Sequence, residues 1–259
     1  MKTILNAKKL PVLTACLGLL AMTLRFGLYL LGRDEKNLLI TGHPLDLLVW
    51  TVTAAAAVLI LGSVWKLEGA SRYADNFAPS AAAAIGAFAL AGGIAVSVIL
   101  GSPSSLRLDL MCRLSGALAI PAIIWAGLCR FNGKHPAFVF HALVCLHLTV
   151  YTISHYQTWS SHPQIQDWFF AMAGIVCLAL FAYYQTAFDT GLGKRRMQLI
   201  TGLLSGFFCI AAIAGSEDSL LYAGGAVWSL TNLCSLTPVP RRRRNPITEN
   251  AKDAPNETA

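Results

Sequence analysis

Charge is scarce in this chain: of 259 residues only 13% are Asp, Glu, Lys or Arg, against 55% that are hydrophobic. An ordinary soluble domain carries about twice that charged fraction, so a water-coated globular fold is excluded. No polar segment between apolar runs is long enough to fold separately. Familiar catalytic signatures are also missing: there is no phosphate-cradling Gly-rich loop, no Gly-x-Ser-x-Gly nucleophile turn and no His-Glu-x-x-His helix. Nothing commits the chain to catalysis or to a cofactor. The seven cysteines (Cys16, Cys112, Cys129, Cys145, Cys177, Cys209 and Cys234) never stand at Cys-x-x-Cys spacing and all fall in or beside apolar runs. An extracellular disulfide framework and a cysteine-rich metal site are thereby excluded.

What is present is apolar sequence in blocks, with a mean hydropathy of +0.56. Eight stretches emerge, at 11–31, 44–65, 79–100, 108–129, 136–156, 167–186, 197–214 and 219–236. A membrane-spanning helix needs about 20 mainly apolar residues, so the fold class expected is an all-α polytopic bundle of eight helices. The connecting segments fix its expected orientation. With a cytoplasmic N-terminus, fifteen of the twenty Lys and Arg residues fall inside: Lys2, Lys8, Lys9, Lys66, Arg72, Arg130, Lys134, Lys194 to Arg196, Arg241 to Arg244 and Lys252. Only Arg33, Lys36 and Arg107 fall outside, while Arg25 and Arg113 lie within stretches. Basic loops resist translocation, so both termini are expected in the cytoplasm of a bacterial plasma membrane. The formal charge of +7 follows topology and forms no groove, so nucleic acid is not a partner.

The bundle is expected to occupy 1–236, followed by a disordered basic tail at 237–259. Arg241, Arg242, Arg243 and Arg244 anchor the last helix against anionic cytoplasmic lipid, an attraction of about 1 kcal/mol per residue. Near the N-terminus, Leu13-Thr14-Ala15-Cys16 has the form of a lipoprotein cleavage box. The apolar run before it is too short for a signal peptide and hydrophobicity continues past it, so a retained first helix is expected. Two echoes suggest a parallel four-plus-four repeat: Gly42-His43-Pro44 with Ser161-His162-Pro163, and the Gly-Ser-containing approaches to the fourth and eighth stretches, Ser102 matching Ser216. Shared helix-start residues explain the same echoes without duplication. The small-residue third stretch is expected at the centre, and Gly202 and Gly206 to allow close helix approach.

Ionisable residues inside spans are the best pointers to a site. On the expected outer side lie Arg25, Asp46, Asp109 and Arg113, and the fifth stretch adds His147, Tyr151 and His155 at a four-residue step. Those three make one polar stripe that must face helices or water, not lipid. The inner half is expected to hold basic loops but few buried charges. Three readings of the outer cluster stand side by side. It is structural, with Asp109 and Arg113 paired four residues apart; or it lines a vestibule for a polar or anionic solute; or His43, His155, His162 and Asp167 bind a metal.

The segment Asp34-Glu35-Lys36-Asn37-Leu38-Leu39 through Gly42-His43-Pro44 resembles uncharacterised multi-pass membrane proteins of Firmicutes over about the first two helices. That resemblance brings no activity or binding residue. The function expected is therefore a small permease-like or solute-binding bundle with a polar site in its outer half. The alternatives are an accessory or assembly protein without transport activity, its protein partner unassigned, and a metal-dependent membrane enzyme. A permease also requires polar groups toward the inner face, for which Gln185, Gln198 and Asn232 are the candidates.

Overall fold

Once water is removed, an apolar segment must satisfy its own backbone amides, and a continuous helix is how one segment does so. The computed structural model describes residues 2–34, 39–40, 42–65, 72–100, 106–160 and 168–237. Its long helices are α1 (Lys2–Leu31), α2 (Pro44–Trp65), α4 (Ala81–Leu100), α5 (Leu106–Phe131), α6 (Phe138–Ser160), α7 (Phe169–Asp189), α8 (Arg195–Ile213) and α9 (Ser219–Cys234). They coincide with the eight apolar stretches to within a few residues, except that α1 begins earlier, at Lys2. A ninth, four-residue helix, α3 (Tyr73–Asn76), lies in a segment expected to be plain loop. Among the described residues there is no strand, only the isolated bridges Arg33–Leu39 and Phe77–Leu236. The all-α bundle is the observed architecture, and α5 runs unbroken through Pro121.

Seven of the long helices are long and apolar enough to cross a membrane. Their outward side chains are apolar as well: Leu31, Leu47, Val58, Ile99 and Leu100 are all about 70% exposed or more. Such a surface suits lipid and not water. The chain is an integral, multi-pass membrane protein. The eighth long helix, α9, has 16 residues and so measures about 24 Å, less than the roughly 30 Å of a hydrocarbon core. It nevertheless traverses the bundle. Asp218, just before its first turn, bonds to Tyr151 near the end of α6, and Ser235, just after its last turn, bonds to Arg130 at the end of α5.

These contacts define two ends. At the terminal end, residues 235–237 lie against α3, the end of α5 and the start of α8. At the distal end, the end of α1 meets the end of α8. Helices α4, α5, α6, α7, α8 and α9 contact one another in sequence and α9 closes back on α4, forming a ring of six; α1 and α2 lean on α8 from outside. The closure between α4 and α9 is a backbone contact. A Cβ on Gly93 would come within 2.7 Å of the Leu220 carbonyl oxygen, and one on Gly224 within 2.5 Å of that of Ala89.

Two expectations are corrected. The third stretch, α4, is not the most enclosed helix: half of it is buried, against 67% of α8. Gly202 and Gly206 explain why, since they let α8 press on Phe181 of α7 and Leu230 of α9. The parallel repeat also fails. A two-fold exchange of the halves maps the α4–α9 contact onto α5–α8, and no comparable contact joins those two helices. Ser102 and Ser161 to Pro163, one side of each echo, lie outside the described residues.

Candidate functional site

The polar stripe of α6 faces the inside of the ring, as burial energetics requires. His147, Tyr151 and Ser154 are all buried. His147 Nδ1 lies 3.0 Å from Ser115 Oγ of α5, and Gly116 leaves space for its ring, since a Cβ there would sit 3.1 Å from His147 Cε1. Among the described residues His147 Nε2 has no partner. One turn on, the Tyr151 hydroxyl donates to Asp218, and the His155 ring stacks on that of Tyr151 with centroids 3.9 Å apart. His155 turns both nitrogens to acceptors, Nδ1 to the Tyr151 carbonyl at 3.1 Å and Nε2 to Asp218 at 3.5 Å. Because a carbonyl only accepts, Nδ1 carries a proton.

Asp218 gathers this distal mouth. Burial is the largest single influence on its carboxyl and pushes it up. Hydrogen bonds from His155 and Tyr151, the His155 charge and the Ser97 hydroxyl together outweigh that, and hold it below the ordinary carboxylate value. Four helices of the ring thus contribute: α4 through Ser97, α5 through Ser115, α6 through its stripe and α9 through Asp218 at its start.

A second polar layer lies at the terminal end of the same ring. The expectation of few buried charges there is wrong. Arg130, His141, Gln185, Arg195, Gln198 and Asn232 are all buried. His141 Nδ1 meets Asp189 of α7 at 2.6 Å, and Arg195 donates to Asn76 Oδ1 and the Thr237 carbonyl, each at 2.7 Å. Of the three inward candidates, Gln185 and Asn232 line one pocket with Arg130, His141 and Trp228, while Gln198 is buried and does not line it. Between the mouths, which α6 separates by 14 residues or about 21 Å, the ring is shut. Leu90, Ile94, Ile123, Val144, Leu148 and Leu178 have no exposed surface.

The remaining candidates scatter. Arg25 is buried, but it donates to the Ala211 carbonyl at 2.5 Å and stacks over Phe170 at 4.5 Å. Ala211 is in the last turn of α8, whose carbonyls have no helical donor, so Arg25 satisfies a helix end outside the ring. There it lines, with Tyr29, Arg33, Asp46 and Trp50, an open cleft with about 380 Å³ of empty space. Gly215 presses the α8–α9 turn onto this cleft. Its φ of +89° suits glycine, and a Cβ would run into the Tyr29 ring. Arg113 does not face the interior at all. Its side chain is 48% exposed and pairs at 3.0 Å with Asp109, four residues back on α5. Among the described residues no single cleft joins Arg25, Arg113 and the α6 stripe.

His43 caps α2, its Nδ1 accepting from the Leu45 amide at 3.3 Å. Among the described residues no three His, Cys, Asp or Glu side chains gather as metal ligands. His162, Asp167 and Arg241 to Arg244 lie outside the described residues. The important residues that sequence reasoning passed over are Asp218, Ser97, Ser115 and Arg130. Asp218 and Arg130 were visible only as loop or helix-end charges, and the serines carried no signal.

No protein-family model, curated protein or solved structure matches this chain.

Proposed function

We propose that this protein is a small permease-like bundle whose solute path is the axis of the six-helix ring. The carrying observation is that one helix, α6, presents His141 at one mouth and His147, Tyr151 and His155 at the other, each met by polar groups from its ring neighbours. An inert bundle has no need for buried polar groups at both ends of one axis. Exposed polar groups at lipid depth are tolerated where they line a cavity, and the apolar belt at Leu148 is then the closed gate of an occluded state. In this reading the distal mouth is outside, the termini are in the cytoplasm of a bacterial plasma membrane and Arg241 to Arg244 lie against anionic lipid, and the loop charge supports that orientation.

The test is accessibility. With the native cysteines replaced, Ser97→Cys and Asn232→Cys are expected to react with a membrane-impermeant thiol reagent, Ser97→Cys from outside and Asn232→Cys from inside. Leu148→Cys is expected to react slowly, because it is reached only when the gate opens. If neither mouth reacts in a protein that stays monodisperse, the path does not exist.

A further inference from the structure

Arg130 closes α5 at the terminal end, and its guanidinium is buried, with 6% of the residue exposed. One nitrogen donates to Ser235 Oγ at 3.1 Å, and the group lies 4.1 Å over the Phe77 ring. Nε has no partner among the described residues. Among the described residues no carboxylate comes within ion-pair distance of it. The nearby acid, Asp189, is engaged by His141. The other neighbour, Tyr73, is neutral, since burial pushes its hydroxyl up despite Arg130. A buried cation whose nearby carboxylate makes its bond elsewhere is only partly compensated, which is unfavourable.

Across the same pocket, on α7, Gln185 is 2% exposed and its amide nitrogen is likewise unpartnered among the described residues. The pocket encloses about 300 Å³ of space between atoms, much of it open to the outside, and as it stands has room for about one water-sized group. The unmet side-chain atoms of the residues that line it are thus donors, Arg130 Nε and the Gln185 amide nitrogen, while the unmet Asp189 Oδ1 belongs to a residue outside the lining. Chemistry of that kind selects a small acceptor carrying one negative charge.

We propose that the terminal mouth of the ring binds a small monovalent anion, of halide or formate size, between Arg130 and Gln185. The site stands on this pocket alone and does not require that any solute cross the ring.

Thermal unfolding of the purified full-length protein in detergent tests it, with gluconate exchanged for chloride at constant ionic strength and formate in a parallel series. A saturable rise in Tm of several degrees is expected. Gln185→Leu removes an orphan donor, so it is expected to unfold no earlier than the native protein in gluconate and to lose the chloride response. Gln185→Glu places a carboxylate beside Arg130. It is expected to raise Tm in gluconate toward the native value in chloride and to abolish the response. Arg33→Gln, in the cleft outside the ring, is expected to leave the response intact. A native protein indifferent to both anions would overturn the proposal, with water filling the pocket. So would a full chloride response in both Gln185 variants, which would place the anion elsewhere. Neither result bears on the thiol reactivity of Ser97→Cys and Asn232→Cys.

Discussion

Asp218 at the distal mouth is met by a tyrosine and a histidine, whereas Arg130 and Arg195 at the terminal end are met by serine, asparagine and a backbone carbonyl. At one end a half-buried carboxylate has donors from two helices, Ser97 on α4 and Tyr151 and His155 on α6. At the other, buried cations outnumber the carboxylates available to them. The difference matters because a charge-assisted hydrogen bond to a neutral partner relieves desolvation without cancelling charge. The distal mouth is electrostatically self-contained, while the terminal mouth is left positive. Two ends of one helical ring therefore favour different occupants.

The sharpest way to break this contrast is at Arg195. It ties Asn76, which has no exposed surface, to the carbonyl of Thr237, and Thr237 in turn donates its amide to the Asn76 carbonyl at 3.0 Å. Replacing it with Met removes this donor from the buried Asn76 oxygen and from the half-buried Thr237 carbonyl. Hydrogen bonds to charged groups are worth about 1.5–3 kcal/mol each, offset in part by no longer burying the charge. The expected loss is about 2–3 kcal/mol in detergent unfolding, with faster amide exchange at 73–77 and 235–237. A loss below about 0.5 kcal/mol would mean the cation is already solvated, contrary to the proposed contrast.

How much of this was legible in advance follows from what leaves a periodic trace. Long apolar runs separated by short polar segments gave the eight helices, because length and hydropathy are set by the membrane itself. The α6 stripe was readable since a four-residue step of His147, Tyr151 and His155 has one geometric meaning. Arg113 was not: α5 is apolar around most of its circumference, so nothing in its pattern says which side meets lipid. Arg130 and Arg195 were counted as loop charges although each sits inside a helix end that folds inward. Short α3 has no period to detect, yet it supplies Tyr73 and Asn76 to the terminal layer. The split between Arg25 and the stripe depends on which helices close the ring, and single-chain periodicity does not encode that.

At the distal mouth a smaller effect is expected, and it depends on pH. The Asp218 carboxyl is held below its ordinary value, so its contribution is fully present above that value, about pH 4. It is lost as pH falls through the lower folded value. Asp218→Asn keeps the shape and removes the charge. It is expected to cost about 1–2 kcal/mol at pH 7, from weakened bonds to Tyr151 and His155. Its acid unfolding limb should also be shallower than that of the native protein. Parallel acid limbs would show that Asp218 titrates alike in the folded and unfolded chains.

The smallest effect belongs to Arg113, and its smallness carries information. Its partner Asp109 is one turn away on the same helix, and nearly half of the arginine side chain is exposed. A pair of that kind, four residues apart on a helix surface, contributes about 0.3–0.5 kcal/mol in water. Arg113→Gln is therefore expected to shift unfolding by no more than about 0.5 kcal/mol and to leave both Ser97→Cys and Asn232→Cys reactivity unchanged. Position decides the matter: the same residue type at Arg130 is buried, and its nearby carboxylate, Asp189, is bonded to His141. Should Arg113→Gln instead block thiol modification at Ser97→Cys, the outer face of α5 would have to turn toward the distal mouth in another state. The mouth would then extend beyond the ring seen here.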